Sequence, residues 1–80
     1  MKKIAIIGLG YVGLPLAVKF GKIRQTIGFD INSQRVSELK GGFDRTHECS
    51  HSDLASAGNL TFSSDLGDIK DASIYIERWS

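Results

Sequence analysis

The run Ile4-Ala5-Ile6-Ile7-Gly8-Leu9-Gly10-Tyr11-Val12-Gly13-Leu14-Pro15-Leu16-Ala17 decides the fold. Its first four residues are apolar, three of them β-branched, and the run stops at Gly8. An apolar segment this short, with no polar alternation, predicts a strand buried on both faces, as in a parallel sheet. From Tyr11 the period changes. Val12, Leu16 and Phe20 recur at i, i+4 and i+8 with Gly13 and Ala17 alongside, which predicts a helix with that apolar face, closing at Gly21-Lys22. Pro15 falls at the edge of the first turn, where a missing N–H costs little; placed deeper it would force a slight kink.

Strand and helix are joined by a G-x-G-x-x-G, residues 8–13. The pattern alone is weak, but directly after a buried strand and at the opening of a helix it is the dinucleotide-binding arrangement. Gly8 permits the tight turn, Gly10 lets backbone approach a pyrophosphate with no Cβ in the way, and Gly13 lets helix and sheet pack closely. The N–H groups and helix dipole near Gly10, Tyr11 and Val12 then favour a phosphate anion. Such sites also need an acid at the end of the second strand, about 20 residues on. The second strand reads Thr26-Ile27-Gly28-Phe29-Asp30, and Asp30 stands 22 residues after Gly8. A carboxylate there accepts from the ribose hydroxyls and repels a 2′-phosphate, so NAD is favoured over NADP. Glycines that only shape a turn, with Asp30 capping the next helix, would use the same residues. The joint register of strand, loop, helix and acid favours the cofactor site. Arg35, one turn into the second helix, is open to two readings: reaching the adenosine end of the cofactor, or standing in solvent.

Further along, Asn32 or Ser33 can cap a helix that buries Val36 and Leu39 and stops at Gly41-Gly42. Residues 43–52 are polar and aperiodic, which predicts a loop, followed by a short helix over 53–57. Leu60-Thr61-Phe62-Ser63 alternates as a third strand, Asp65 caps one turn carrying Leu66 and Ile69, and residues 73–76 form a fourth strand. The order β-α-β-α-β-(short α)-β calls for an α/β fold with a parallel sheet.

At 80 residues, one domain is the ceiling. Ten Lys and Arg against nine Asp and Glu leave a net charge of +1, so there is no electrostatic case for nucleic acid, an anionic membrane or an acidic partner. A basic start followed by the apolar residues 4–18 superficially looks like a secretory signal. Gly8, Gly10, Gly13 and Pro15 interrupt it, no small-x-small cleavage site follows, and it is short of the about 20 residues needed to span a bilayer. The single Cys49 has no internal disulfide partner, which fits a reducing compartment and a cytoplasmic location.

Several other signals are weaker. His47-x-Cys49-x-His51 has the look of a metal cluster, but no second Cys/His pair completes a ligand set, and no metal is expected. Cys49 as a nucleophile would need an activating neighbour, for which only His47 or His51 is at hand. Ser63, Ser64, Asp65, Asp68 and Asp71 read as a strand end and a solvated, capped turn, and Tyr75 and Trp79 as packing or edge residues.

Residues 3–17, with Gly-Leu-Gly-Tyr-Val-Gly-Leu-Pro inside them, resemble the amino terminus of the UDP-glucose/GDP-mannose dehydrogenase family. Gly28-Phe29-Asp30-Ile31-Asn32 with Arg35-Val36 is similar to the family's second strand and helix. Gly42-Phe43-Asp44-Arg45-Thr46 with Glu48 resembles the branch acting on UDP-N-acetylhexosamines, including enzymes for Vi-type capsular and O-antigen sugars. The resemblance implies the first half of a Rossmann fold, strand order 3-2-1-4 with flanking helices. It also implies cofactor contacts from Gly8, Gly10, Tyr11, Val12, Gly13, Asp30 and Arg35, the last two on the adenosine ribose. The implied family reaction oxidises a nucleotide sugar's C6 alcohol to a carboxylate at the expense of two NAD, through a cysteine-bound intermediate. The similarity runs to about residue 76, after which Glu77-Arg78-Trp79-Ser80 departs from the family's Val-Pro-Thr-Pro continuation. The catalytic cysteine, lysine and asparagine and the sugar-nucleotide site are all implied beyond that point, and Cys49 does not match the cysteine's position. The expectation is therefore the amino-terminal part of an NAD-binding domain, with no catalytic residue of its own and no turnover alone. A self-contained NAD-binding or sensing module, or the start of another Rossmann dehydrogenase, would carry the same bare fingerprint. The fourth strand is expected to present an open edge through which copies associate, with Trp79 packed at the contact.

Overall fold

The computed structural model describes residues 3–77. Four strands, β1 (Ile4–Ile7), β2 (Thr26–Phe29), β3 (Leu60–Ser63) and β4 (Ile74–Glu77), form one parallel sheet in the order β3-β2-β1-β4. Helices α1 (Gly13–Gly21), α2 (Ser33–Lys40) and α3 (His51–Ser56) and a 3-10 turn (Leu66–Ile69) connect them. This is the α/β class, strand order and element sequence expected from the sequence.

β1 is central because it has no polar residue for solvent. Ile4 and Ile6 belong to the core under the helices, with Leu9, Leu14, Ala17, Val18, Leu39, Leu54 and Ala57. Ala5 belongs to the opposite face with Ile27, Phe29 and Ile69. A strand sandwiched in this way reads as a continuous apolar run. β2 is equally buried, and its Gly28 leaves room: a Cβ there would meet the Leu9 methyls at 3.0 and 3.4 Å and the Phe62 ring at 3.1 Å. Leu9, the second residue of the glycine loop, is thereby fully buried on the sheet.

α1 differs from its expected face. Val12 lies before the helix and is about half exposed, and Leu16 and Phe20 are only partly buried. The buried stripe is Gly13, Leu14, Ala17, Val18 and Gly21. The small residues of this stripe let the helix pack closely: a Cβ on Gly21 would stand 2.6 Å from the Leu60 Cβ. Pro15 sits in the first turn, where its missing N–H costs little.

Asn32, rather than Ser33, caps α2, its side chain accepting from the N–H groups of Gln34 and Arg35. The aperiodic loop expected over residues 43–52 ends earlier, because Ser50 and Asp53 form a reciprocal capping box that starts α3 at His51. Asp65 caps the 3-10 turn, whose Ile69 is buried while Leu66 is exposed. β4 runs one residue later than expected, through Glu77, which pairs with Ile7. Tyr75 is an edge residue whose hydroxyl donates to the Ile69 carbonyl (2.5 Å). Trp79 lies outside the described residues. Residues 4–18, which superficially resembled a signal segment, divide into a strand, a turn and a helix, and no helix among the described residues is long and apolar enough to cross a membrane.

Candidate functional site

The chain runs from β1 through α1 to β2 and on to β3 on one side of β1, then returns to place β4 on the other. The order therefore reverses at β1, and ligands of open α/β sheets bind outside the carboxyl ends of the strands at such a reversal. The glycine loop emerges there. Gly8 prolongs the ladder, its N–H donating to the Phe29 carbonyl (2.8 Å), and then turns the chain with φ +97°, a conformation that costs glycine little. Gly10 accepts from the Leu14 N–H (3.2 Å), and α1 begins at Gly13, which is buried against the sheet. The Tyr11 and Val12 side chains are more than half exposed.

Asp30 follows β2 directly, held in place by its own N–H donating to the Ser63 carbonyl (3.1 Å). One carboxylate oxygen accepts from the Leu9 N–H (2.9 Å) and the other from the Asn32 N–H (2.9 Å). The acid thus fastens the glycine loop to the start of α2. It is only partly buried, and a carboxylate has about four acceptor positions, so capacity for further donors remains. Helix capping falls to Asn32 and not to Asp30.

Arg35 is not a solvated helix arginine: it is 7% exposed. Its Nε–H and one terminal N–H donate to the Leu9 carbonyl (2.8 and 2.5 Å), and its other terminal nitrogen donates to Asp44 (2.8 Å). Asp44 was visible in the sequence only within the resemblance, yet its side chain is fully buried. It also accepts from the Thr46 N–H and hydroxyl and from the N–H groups of Glu48 and Cys49. Burial pushes this carboxyl up, but the hydrogen bonds from Thr46, Arg35 and the Cys49 and Thr46 backbone outweigh it and hold the pKa at about 2. The one sequence signal was Asp-x-Thr, an Asx-turn pattern at the start of an aperiodic loop.

The histidine-cysteine cluster disperses. Cys49 is buried, and desolvation together with the charges of Asp44, Asp53 and Glu48 pushes its thiol up, away from the reactive thiolate. His51 is exposed, its Nδ1 3.2 Å from the Gly42 carbonyl, and His47 packs edge-on to Phe43. Among the described residues no three His, Cys, Asp or Glu side chains gather as a metal site. At the end of β3 the Ser63 hydroxyl donates to Asp68 and accepts from the Asp65 N–H, which makes it part of the capped turn. A cavity of about 600 Å³ opens between the end of α2, α3 and β3, lined by Leu39, Gly42, His51, Leu54 and Phe62 and by no residue of the glycine loop.

Residues 2–76 match the family model of the UDP-glucose/GDP-mannose dehydrogenase family, NAD binding domain. The chain is 55% identical over 74 residues to UDP-N-acetyl-D-glucosamine 6-dehydrogenase of Salmonella typhi, covering 92% of this chain and 17% of that protein. It is 47% identical over 75 residues to protein CapL of Staphylococcus aureus, covering 94% and 18%. Among solved structures, UDP-D-ManNAc dehydrogenase of Pyrococcus horikoshii superposes with a TM-score of 0.79 at 27% identity, over 96% of this chain and 20% of that one. The chain thus spans less than a fifth of the length of these curated relatives. The family match covers the glycine loop, Asp30 and Arg35 together, and places the chain in the UDP-glucose/GDP-mannose dehydrogenase family, within its NAD-binding domain.

Proposed function

We propose that these residues grip the adenosine diphosphate half of NAD for a UDP-sugar 6-dehydrogenase. The observation that carries the reading is the Asp30 carboxylate fastened to the glycine loop at the sheet's reversal point. Gly8, Gly10, Tyr11, Val12 and Gly13 offer backbone to the pyrophosphate, and Asp30 accepts from the ribose hydroxyls. NADP sites place an arginine where it can meet the 2′-phosphate. Here the arginine of α2 is turned inward onto Asp44, which supports NAD as the preferred form. When bound, NAD supplies a hydride acceptor.

The relatives' names, UDP-N-acetyl-D-glucosamine 6-dehydrogenase and UDP-N-acetyl-D-mannosamine dehydrogenase, support a UDP-N-acetylhexosamine oxidised at C6 as the substrate of the whole enzyme, and polysaccharide synthesis is the use proposed for its product. The grip is not the chemistry. The one cysteine of the chain is buried with its thiol pushed up, so the 80-residue chain should give no UDP-sugar-dependent NADH. The lone cysteine also supports a reducing, cytoplasmic setting. Two copies are further proposed to pair along β4, a terminal strand of the sheet in which Ile74 and Tyr75 are 38% and 49% exposed.

Calorimetry tests the cofactor reading. NAD should bind the intact chain more tightly than NADP. Asp30→Ala should weaken NAD about tenfold or more, the loss of a charge-assisted hydrogen bond being worth about 1.5–3 kcal/mol. Equal NAD affinities for the two proteins would remove Asp30 from the site.

A further inference from the structure

Leu9 is held at both of its backbone polar groups. Its N–H donates to Asp30 and its carbonyl accepts two N–H groups of the Arg35 guanidinium. The guanidinium is fixed by Asp44, which is itself bound by four further donors from residues 46–49. The Leu9 side chain is seated over Gly28. The Leu9 carbonyl and the Gly10 N–H belong to one planar trans peptide, so they point in opposite directions. Drawing the carbonyl inward onto Arg35 turns the Gly10 N–H outward.

From this we propose that Arg35 and Asp44 are positioning residues for the cofactor loop: the guanidinium, fixed by Asp44, holds the Leu9 carbonyl and so aims the Gly10 N–H at the pyrophosphate. The proposal rests on the NAD-binding reading and gives Arg35 a task other than direct contact with the ribose. A rotatable side chain would not hold the peptide as well. The guanidinium is a rigid fork that engages Leu9 and Asp44 at once, whereas a lysine ammonium is a point donor on a flexible stem. The arrangement is pre-organisation: donors set before the ligand arrives need no reordering when it binds.

The test uses the full chain, Arg35→Lys and Asp44→Asn, each checked for folding by circular dichroism, with two NMR readouts. Without ligand, the Leu9 amide, which donates to Asp30, should exchange with solvent at least several-fold faster in both variants, while amides of β1 stay protected. With ligand, affinity for ADP should fall about tenfold in both variants, while the weak affinity for adenosine, which lacks the pyrophosphate, stays within twofold. A purely structural ion pair would not separate the two ligands. Unchanged Leu9 exchange and ADP affinity in a folded Arg35→Lys would overturn the proposal, as would equal losses for ADP and adenosine, which would make Arg35 a ribose contact. If Asp44→Asn does not fold, Arg35→Lys alone decides. Wild-type protein that binds neither ADP nor NAD would defeat the cofactor reading and with it the aiming role, the exchange readout then showing only whether the loop is anchored.

Discussion

Asp44 and Asp30 are both acids next to backbone N–H groups, yet only Asp30 announced itself in the sequence. Its position, at the end of a strand and a fixed distance from a glycine loop, is a pattern that spacing alone can express. Asp44 lies in a polar, aperiodic stretch where an acid would ordinarily be solvated; its burial depends on Arg35 folding inward, a tertiary event with no local period. Arg35 was undecided for the same reason. The depressed pKa of Asp44 has a stability consequence. Its carboxyl titrates near 3.8 in the unfolded chain and near 2 in the fold, so its contribution is complete above pH 4 and is lost as pH falls toward 2. At about 1.36 kcal/mol per unit the contribution is about 2 kcal/mol. Urea midpoints of wild type and Asp44→Asn should therefore differ at pH 7 and converge near pH 2. A gap independent of pH would show that the charge of Asp44 contributes nothing.

At the scale of elements, the strands and their order were legible because buried parallel strands are short apolar runs separated by glycine and cap residues. The face of α1 was misread. Large residues at 12, 16 and 20 make an apolar stripe on paper, but the face laid on the sheet runs through Gly13, Leu14, Ala17, Val18 and Gly21, whose two glycines and alanine let the helix lie close. Gly21 therefore matters more than Phe20 to the contact between α1 and β3. Gly21→Ala, with its Cβ 2.6 Å from the Leu60 Cβ and 3.2 Å from the Ala57 Cβ, should cost about 1–3 kcal/mol as the helix lifts from the strand. Gly58→Ala is the control, since a Cβ there meets nothing within 4 Å. Equal urea midpoints for the two variants would show that α1 has room to spare. The start of α3 was missed by two residues because Ser50 and Asp53 act as a pair, and a single-residue scan for caps passes over the first of them.

Across the whole molecule, helices cover one face of the sheet, while a single 3-10 turn packs on the other among the described residues. A chain of this size buries only roughly 60–65% of its unfolded surface, so exposed apolar edges carry weight in how it behaves. The two terminal strands differ. β3 is flanked by α1 and α2, while β4 presents Ile74 and Tyr75 to solvent. Light scattering should find a mass that rises with concentration, and Ile74→Lys should reduce it, since a charged side chain on an edge opposes pairing. A strictly monomeric wild type at high concentration would refute pairing through β4. Topology also explains why the cofactor grip was the most legible function: the reversal of strand order, the glycine turn and the acid all fall at the carboxyl end of two neighbouring strands. The Salmonella typhi relative is matched over 17% of its length, and the family match falls in this NAD-binding part. The central claim is that NAD lodges at the glycine loop, and amide NMR of the full chain titrated with NAD tests it most directly. Shifts concentrated in residues 8–13 and at Asp30 are the predicted result. No shifts, or shifts centred on the cavity between α2, α3 and β3 around His51 and Leu54, would contradict it.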